Sequence, residues 1–311
     1  MKILKPHRLL PGDLIGLVSP AGPVKKLSAI DKAVRYIEKQ GYRVSVGRYA
    51  GERDGYMAGS DRQRLSDLHV MFRNRHVRAI VAIRGGYGTP RLLGGVDYRL
   101  IRRNPKILVG FSDITALQLA IWSQARLVTF NGPMAAGDMQ GSMDSATEHM
   151  FWSVLTEPDR DRELRLLRWN PRRLYRGISD GRLLGGNLSM IASLIGTPYM
   201  PDLRRALLFM EEVGEEPYRI DRMLTQLANA GALRRVNGLI AGRFTDCKAE
   251  NPARSRTTDA VLGEFASLLR VPFLADLPFG HETRKLTIPV GVRARLNVRT
   301  GSIALLESPV R

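Results

Sequence analysis

Hydrophobic residues in the first half of the chain alternate between short runs and helical spacing. Short β-rich runs occupy residues 14–18, 42–46, 79–83 and 107–110. Between them, residues 28–40 and 60–74 carry hydrophobic residues every three or four positions, and Gly41 ends the first of these segments. Strands that alternate with amphipathic helices are typical of a mostly parallel sheet with helices on both faces. We therefore predict an N-terminal three-layer α/β domain of Rossmann-like type.

The second half of the chain has a different pattern. Strand-like runs at 207–210 and 238–241 lie on either side of a helical pattern at 218–229. Strict alternation from Val290 to Val298 then turns at Thr300-Gly301 into another hydrophobic run, which predicts a terminal hairpin. A hairpin next to parallel strands indicates a mixed sheet, so we predict a smaller, β-rich α+β domain.

A stretch rich in charge and proline separates the two patterns. It begins at Glu157-Pro158 and includes Pro171 with two arginines after it. Loss of periodicity together with proline marks a domain boundary. We predict an N-terminal domain at 1–160, a linker at 161–182 and a C-terminal domain at 183–311.

Composition narrows the class of protein. The chain has 311 residues, of which 44% are hydrophobic and 25% charged, as in ordinary globular proteins. Its single cysteine, Cys247, excludes an internal disulfide framework, and no Cys/His spacing resembles a zinc site. No hydrophobic run near the N-terminus is long enough for a signal peptide or a membrane span. We expect a cytoplasmic protein without a metal, an organic cofactor or a membrane partner.

The net charge of +18 is large, with 48 Lys and Arg against 30 Asp and Glu. The cations are scattered, and no run of five Lys or Arg occurs. Two interpretations follow: an arginine bias on solvated faces, or a positive field that attracts a small anionic substrate. A basic protein that binds nucleic acid would be expected to carry an aromatic-and-basic recognition motif, which this sequence lacks, so we expect no nucleic-acid partner.

Ser112 stands between a strand and a helix. The run at 107–110 ends in glycine, and the helical pattern begins directly after Ser112. A serine at such a junction projects its hydroxyl from the carboxyl edge of the sheet, where it can act as a nucleophile beside main-chain N–H groups. Serine is also a preferred N-cap, and helix capping alone would explain a serine at this position.

The segment Arg84-Gly85-Gly86-Tyr87-Gly88 ends another strand in glycines. The third glycine of a dinucleotide-binding motif would fall on Arg91, which argues against that cofactor. Three uses remain open: a phosphate cradle, one N–H of an oxyanion hole, or a tight turn.

A carboxylate and a histidine in the second half are candidates for acid-base chemistry. Glu211 directly continues the strand at 207–210, whereas Glu215 and Glu216 suit the first turn of the next helix. Of the five histidines, His281 alone lies in a Pro/Gly turn between strands, and it is the one plausible base for Ser112. Glu211 could orient that histidine, or a carboxylate pair could act on a glycoside.

Six blocks in order resemble the LD-carboxypeptidase family, which includes the microcin-immunity peptidases. They are Tyr-Met-Ala-Gly-Ser-Asp at 56–61 with Arg64, the glycine turn at 84–88, Gly-Phe-Ser-Asp-Ile-Thr at 110–115, Leu-Gly-Gly-Asn-Leu at 184–188, Glu-Glu-Val-Gly-Glu at 211–215 and Gly-His at 280–281. The similarity runs from about residue 11 to residue 296. One departure is Asn131, where the family often has histidine.

The resemblance implies a Ser-Glu-His serine peptidase with Ser112 as nucleophile, Glu211 as orienting carboxylate and His281 as general base. It implies an oxyanion hole formed by the main-chain N–H groups of Gly86 and Asp113. The implied reaction releases terminal D-alanine from murein tetrapeptides during cell-wall recycling, by a cytoplasmic homodimer without cofactors. Glu211 is preferred over Glu212 because the block begins there.

Two alternatives stay open at this level. The first is hydrolysis of peptidyl- or aminoacyl-nucleotides, as in the microcin-immunity enzymes. The second, more distant, is a basic protein without catalytic activity that binds nucleic acid or a sugar phosphate.

Overall fold

The computed structural model describes residues 1–141, 143–158, 163–165 and 170–311. The chain divides into two compact units. The first consists of residues 1–158, 286–290 and 309–311, and the second of residues 159–285 and 291–308.

The first unit contains a six-stranded sheet. Its strands are β1 (Leu14–Val18), β2 (Arg43–Val46), β3 (Val77–Ala82), β4 (Ile107–Gly110), β5 (Thr129–Asn131) and β12 (Ile288–Val290), in the order β12-β5-β4-β3-β1-β2. The first five strands run parallel, and β12 is antiparallel to β5. Strands β3 and β4 are almost entirely buried, which explains their continuous hydrophobic sequence.

In the described part of this unit, seven α-helices accompany the strands. They are α1 (Ser28–Lys39), α2 (Asp61–Arg73), α3 (Thr89–Leu92), α4 (Tyr98–Arg103), α5 (Ile114–Ala125), α6 (Ala135–Asp138) and α7 (Ser145–Thr156). Helix α1 packs on α6, whereas α2, α4 and α5 contact one another in sequence. The chain crosses from β1 to β2 in one direction along the sheet and from β2 to β3 in the other. Because both crossovers are right-handed, the group of α1 and α6 and the group of α2, α4 and α5 lie on opposite faces of the sheet. The predicted three-layer α/β domain is confirmed.

Helix α2 begins with a capping box at Ser60. The Ser60 hydroxyl accepts the N–H of Gln63 at 3.3 Å, and the Gln63 side chain accepts the N–H of Ser60 at 2.8 Å. Two main-chain donors of the first turn are thereby satisfied. The box fixes where α2 starts and so places Arg64 in its first turns, facing the interior.

The second unit contains an eight-stranded mixed sheet. The remaining strands are β6 (Glu163–Arg165), β7 (Arg172–Tyr175), β8 (Ile178–Asn187), β9 (Ala206–Val213), β10 (Gly238–Thr245), β11 (Phe273–Ala275), β13 (Arg293–Asn297) and β14 (Ser302–Leu305), in the order β6-β14-β13-β8-β9-β10-β11-β7. Strands β8 to β11 are parallel, and the others pair antiparallel. The α-helices among its described residues are α8 (Leu188–Leu194), α9 (Pro217–Asn229) and α10 (Thr258–Leu269). The mixed, β-rich second fold is as predicted.

The observed boundaries differ from the predicted ones. The predicted linker at 161–182 includes β6, β7 and the first half of β8, while its residues 161–162 and 166–169 lie outside the described residues. Strand β7 is an edge strand, where arginines such as Arg172 and Arg173 protect an open edge, so their charge resembles that of a linker. Residues 288–290 pair with β5 in the first unit, so the alternation that begins at Val290 spans two sheets. The hairpin itself is formed by β13 and β14.

The two strands at the centre of the second sheet approach closely at Gly185. A Cβ placed there would overlap the main-chain oxygen of Phe209, and Gly185 has a φ of +147°. We expect Gly185→Ala to lower the free energy of unfolding by about 3 kcal/mol or more, because both the contact and the backbone conformation oppose a side chain. Urea denaturation followed by circular dichroism measures this loss.

Gly263→Ala is the matched control. Gly263 lies inside α10, and a Cβ placed there would have no atom within 4 Å, so the same substitution should raise stability by up to about 1 kcal/mol. Equal denaturation midpoints for the two variants would contradict the packing described at Gly185.

Candidate active site

Ser112 has a left-handed main chain. It follows β4 by two residues and has a φ of +61°, a region in which residues other than glycine are uncommon. The N-cap position of α5 is Asp113, which makes no side-chain capping bond. The left-handed main chain of Ser112 differs from the extended main chain that is typical of an N-cap residue. Such conformations cost about 1–3 kcal/mol and are concentrated at functional sites.

Glycines allow the turn around Ser112 to be tight. A Cβ on Gly110 would lie 2.8 Å from the Ile114 side chain, so the glycine lets α5 return directly over the end of β4. A Cβ on Gly85 would lie 2.9 Å from the Ser112 Cβ and 3.1 Å from its Oγ. The glycine-rich turn after β3 therefore lies against the serine.

This edge of the sheet is its topological switch point. The order β2-β1-β3 means that the connections after β1 and after β2 run in opposite directions, which opens a crevice at the carboxyl ends of β1 and β3. The Gly22 N–H, after β1, donates to the Gly85 carbonyl, after β3, at 2.9 Å. Gly86 has a φ of +110°, and a Cβ on it would lie 3.2 Å from the Gly22 Cα. Two main chains meet here, and neither has space for a side chain.

Asp113 connects the serine turn to the glycine-rich turn. Its carboxylate Oδ2 accepts the Thr89 N–H at 2.8 Å, and the Thr89 hydroxyl donates to the Asp113 carbonyl. Burial raises the pKa of the Asp113 carboxyl, and the hydrogen bonds from Thr89 partly offset this effect. Within the described residues, the main-chain N–H groups of Gly86 and Asp113 have no acceptor. They are donors that a ligand oxygen could use.

The buried Arg64 side chain packs against the turns that follow β1 and β3. The residue is 1% exposed; its Nη1 donates to the Pro20 carbonyl at 2.7 Å, and its Nη2 pairs with Asp61. A Cβ on Gly88 would overlap Nη1, so the guanidinium fills the space under the turn. Arg64 belongs to one of the six sequence blocks but received no role there, because burial of an arginine has no signal in local periodicity.

Glu211 and His281 form a hydrogen-bonded pair in the second unit. Glu211 lies in β9 with no exposed surface, and its Oε2 is 2.8 Å from His281 Nδ1. His281 follows β11 in a loop, with its side chain 24% exposed. Gly280 has a φ of +101°, and a Cβ on it would lie 2.5 Å from that same Oε2, so glycine is required for the pair to form. With Nδ1 bound to a carboxylate, Nε2 is the nitrogen suited to exchange a proton with substrate.

Glu212, the neighbouring residue of β9, makes a different set of hydrogen bonds. Its Oε2 accepts from the N–H and the hydroxyl of Ser189 at 2.8 and 2.6 Å, and its Oε1 accepts from Asn187 and from the Val213 N–H at 2.7 and 2.9 Å. Burial raises the pKa of Glu212, and these donors oppose the rise. Glu212 therefore anchors the start of α8, and the carboxylate bound to histidine is Glu211.

The structure thus groups the predicted residues within each unit. The first unit brings together Gly86, Ser112 and Asp113, and the second brings together Glu211 and His281. Asn131, the departure noted in the sequence, is buried at the carboxyl end of β5 beside the end of β4. Within the described residues, no group of three or more His, Cys, Asp or Glu could hold a metal ion. None of the helices in that part of the chain has the length and hydrophobicity of a membrane span.

A left-handed serine at a strand-helix junction, unbonded N–H groups beside it and a buried carboxylate-histidine pair are the components of a serine hydrolase. Family models agree with this class. The LD-carboxypeptidase N-terminal domain matches residues 15–132, and the C-terminal domain of the same family matches residues 180–296. The chain belongs to the LD-carboxypeptidase family.

Individual relatives match over nearly the whole chain. A probable murein peptide carboxypeptidase of Bacillus subtilis (strain 168) is 38% identical over 98% of this chain and 95% of its own. The murein tetrapeptide carboxypeptidase of Pseudomonas aeruginosa is 32% identical over 91% and 92%. Among solved structures, a muramoyltetrapeptide carboxypeptidase from Oxalobacter formigenes is 32% identical, with a TM-score of 0.83 over 94% and 97% of the two chains. MccF in complex with glutamyl sulfamoyl guanosine is 25% identical, with a TM-score of 0.91 over 99% and 100%.

The different hydrogen bonding of the two adjacent glutamates can be tested by stability. Replacing Glu212 by Gln puts an amide NH₂ opposite at least one N–H donor whichever way the amide is turned, so we expect Glu212→Gln to cost about 2–4 kcal/mol. Glu211→Gln keeps an oxygen that can accept from His281 Nδ1, and should cost less. Urea unfolding of both variants measures the difference.

Within the described residues, Glu211 Oε1 is buried without a partner, so the new NH₂ of Glu211→Gln displaces no existing bond. A larger loss of stability in Glu211→Gln than in Glu212→Gln would show that the two roles have been exchanged.

Proposed function

We propose that this protein is a serine carboxypeptidase that hydrolyses an L,D-peptide bond and releases terminal D-alanine from murein tetrapeptides in cell-wall recycling. The observation that carries the proposal is the left-handed Ser112 at the switch-point edge, beside the unbonded N–H groups of Gly86 and Asp113. Relatives named as murein peptide and murein tetrapeptide carboxypeptidases support the choice of substrate.

The proposed residues have different roles in the first step of the reaction. Ser112 Oγ attacks the carbonyl carbon of the scissile bond while His281 Nε2 takes the hydroxyl proton. Glu211 holds Nδ1 and stabilises the imidazolium that forms. The N–H groups of Gly86 and Asp113 bind the oxyanion, and one such donor typically contributes about 10²–10³ in rate.

The intermediate then collapses to products. The C–N bond breaks as His281 gives its proton to the leaving amino group of D-alanine, which leaves the peptide esterified to Ser112. Water, deprotonated by His281, attacks the ester; His281 then returns this proton to Ser112 Oγ as the ester C–O bond breaks, which releases the shortened peptide and free Ser112. No metal or organic cofactor takes part in the proposed reaction.

The two units act as domains in this proposal. The first carries the nucleophile and the oxyanion donors, and the second carries the general base and its carboxylate. The excess of 48 cationic over 30 anionic side chains supports an anionic substrate, because a muropeptide carries several carboxylates and a positive field raises its encounter rate.

Groups that act in one step have non-additive effects when removed. We expect Ser112→Ala and His281→Ala each to lower kcat for D-alanine release by about 10⁴ or more, and the double variant to be no slower than either. An enzyme-coupled assay for D-alanine on purified tetrapeptide measures the three rates. Multiplication of the two losses in the double variant would show that the residues act independently and would overturn the proposed triad.

A serine-directed phosphonate provides the control for the nucleophile. It should label the wild-type protein on Ser112 and leave Ser112→Ala unlabelled, with both proteins giving the same circular dichroism spectrum. Equal labelling of the two would assign the nucleophile elsewhere.

Hydrolysis of aminoacyl-nucleotides is the second candidate function. It is favoured by the TM-score of 0.91 to MccF bound to glutamyl sulfamoyl guanosine. We expect D-alanine release from tetrapeptide to exceed cleavage of glutamyl sulfamoyl adenosine in kcat/KM. The opposite order, measured by mass spectrometry of both products, would favour the second candidate.

We further propose that the protein is a cytoplasmic homodimer without a nucleic-acid partner. The single cysteine and a substrate produced by cell-wall recycling support the compartment. Sedimentation equilibrium tests the oligomeric state, and a monomer at micromolar concentration would overturn it.

A further inference from the structure

A second concave region in the first unit, a cavity of about 410 Å³, is rich in cationic side chains. It lies at the amino-terminal ends of β3 and β4, since Val77 begins β3 and Lys106 directly precedes β4. Ser112 and Gly86 follow the carboxyl ends of the same strands. The cavity is therefore at the opposite edge of the sheet from the candidate active site.

Among the described residues that line this cavity, none carries a carboxylate side chain. Its charged residues are Arg75, Arg78, Arg103, Lys106 and Arg311, with His7 beside them. Asp13, outside the lining, is 3.9 Å from Arg78. In the described part of the chain, the guanidinium groups of Arg75 and Arg103 have no ion-pair or hydrogen-bond partner. Asp97, also outside the lining, interacts electrostatically with Arg103. The positive charges that face this concave space thus outnumber the carboxylates near them.

Lys106 is the buried member of this group. It is 5% exposed, and its ammonium donates to the main-chain oxygens of Asn74 and Val77. Among the described residues nothing accepts its third N–H. Burial and the charge of Arg78 lower the pKa of Lys106 to about 8. An ammonium kept this close to other cations gains strongly from a bound anion.

The His7 imidazole lies in the same positive electrostatic field. Its Nε2 is 3.1 Å from the Arg311 guanidinium, and the Arg311 main-chain oxygen is held by the Arg8 N–H at 3.0 Å. Burial, Arg311 and Arg78 all lower the pKa of the His7 imidazole. An imidazole at the rim of a cationic cavity is a suitable reporter, because its protonation responds to any anion that enters.

A cavity of the second unit differs in how its cationic side chains are paired. It measures about 580 Å³ and also contains arginines, but Arg172 pairs there with Asp259 and Asp276. Arg172 is therefore neutralised by carboxylates within its own cavity, whereas Arg75 and Lys106 have none in theirs.

We propose that the cavity bounded by Arg75, Arg103 and Lys106 binds the phosphate or diphosphate group of a small molecule, apart from the peptidase site. A guanidinium group can donate two parallel hydrogen bonds to the oxygens of a phosphate, and the concentration of positive charge favours a ligand with at least two negative charges. The volume is that of a small-molecule site. A site at this edge leaves the carboxyl ends of the strands free for peptide.

The test uses inorganic pyrophosphate as probe and the His7 imidazole as reporter. The His7 proton resonance, assigned with His7→Gln, should move on titration with pyrophosphate, and the pKa of His7 should rise in its presence. We expect Arg75→Ala/Arg103→Ala to weaken binding at least about tenfold, since two charge-assisted contacts are lost. The rate of D-alanine release should not change in this variant.

The control removes the same charge elsewhere. Arg254 and Arg299 are exposed arginines of the second unit, and Arg254→Ala/Arg299→Ala should bind pyrophosphate like the wild type. If both double variants bound pyrophosphate equally weakly, the loss of affinity would follow from net charge alone, and the proposed site would be wrong. So would titration to about 10 mM, far above the Kd of a specific phosphate site, without a shift at His7.

Two further measurements keep the outcome decisive. If Arg75→Ala/Arg103→Ala fails to fold by circular dichroism, the single variant Arg75→Glu, in an exposed loop, takes its place with Arg299→Glu as control. A duplex DNA competitor identifies the alternative source of phosphate. Displacement of the His7 shift by DNA at lower concentration than pyrophosphate would assign the surface to nucleic acid instead.

Discussion

A serine at a φ of +61° persists only where its surroundings leave it no other conformation. Three contacts supply that restraint in the first unit. Gly110 lets α5 close over the end of β4, Gly85 places its main chain against the serine, and Asp113 ties the next turn to Thr89. The cost of the conformation is met by contacts that also orient the N–H groups of Gly86 and Asp113. The same strained turn therefore positions both the hydroxyl and the donors.

Adjacent glutamates in β9 show how a strand can supply structure and chemistry from neighbouring positions. Successive residues of a strand point to opposite faces, so Glu211 and Glu212 enter different environments although both are buried. Glu212 has four donors and anchors α8. Glu211 has His281, and the absence of a Cβ at Gly280 makes that approach possible. The anchored residue fixes the strand, which in turn fixes the position of its neighbour.

Much of this was predictable from local pattern, and the rest depends on contacts distant in sequence. The strands at 14–18 and 107–110, and the pairing of Glu211 with His281, follow from periodicity, from turn chemistry and from the family resemblance. Three features could not be predicted. The insertion of residues 288–290 beside β5 joins distant parts of the chain, the burial of Arg64 needs the fold of three loops, and the positive φ of Ser112 has no signature in a residue that usually caps helices. The charged edge strand β7 resembled a linker because an exposed edge and a linker have the same composition.

The buried carboxylate of Glu211 also explains why the second unit suits a proton-transfer role. Within the described residues, Oε1 has no hydrogen bond, so the charge is compensated through Oε2 and His281 alone. A buried carboxylate with hydrogen bonds to only one of its two oxygens attracts a positively charged partner more strongly than it attracts a neutral partner. In the proposed reaction the attraction is therefore greatest while the imidazole holds a second proton, the interval in which the tetrahedral intermediate would exist. A hydrogen-bond donor added at Oε1 would satisfy the Glu211 carboxylate more fully and would weaken its attraction to the protonated His281.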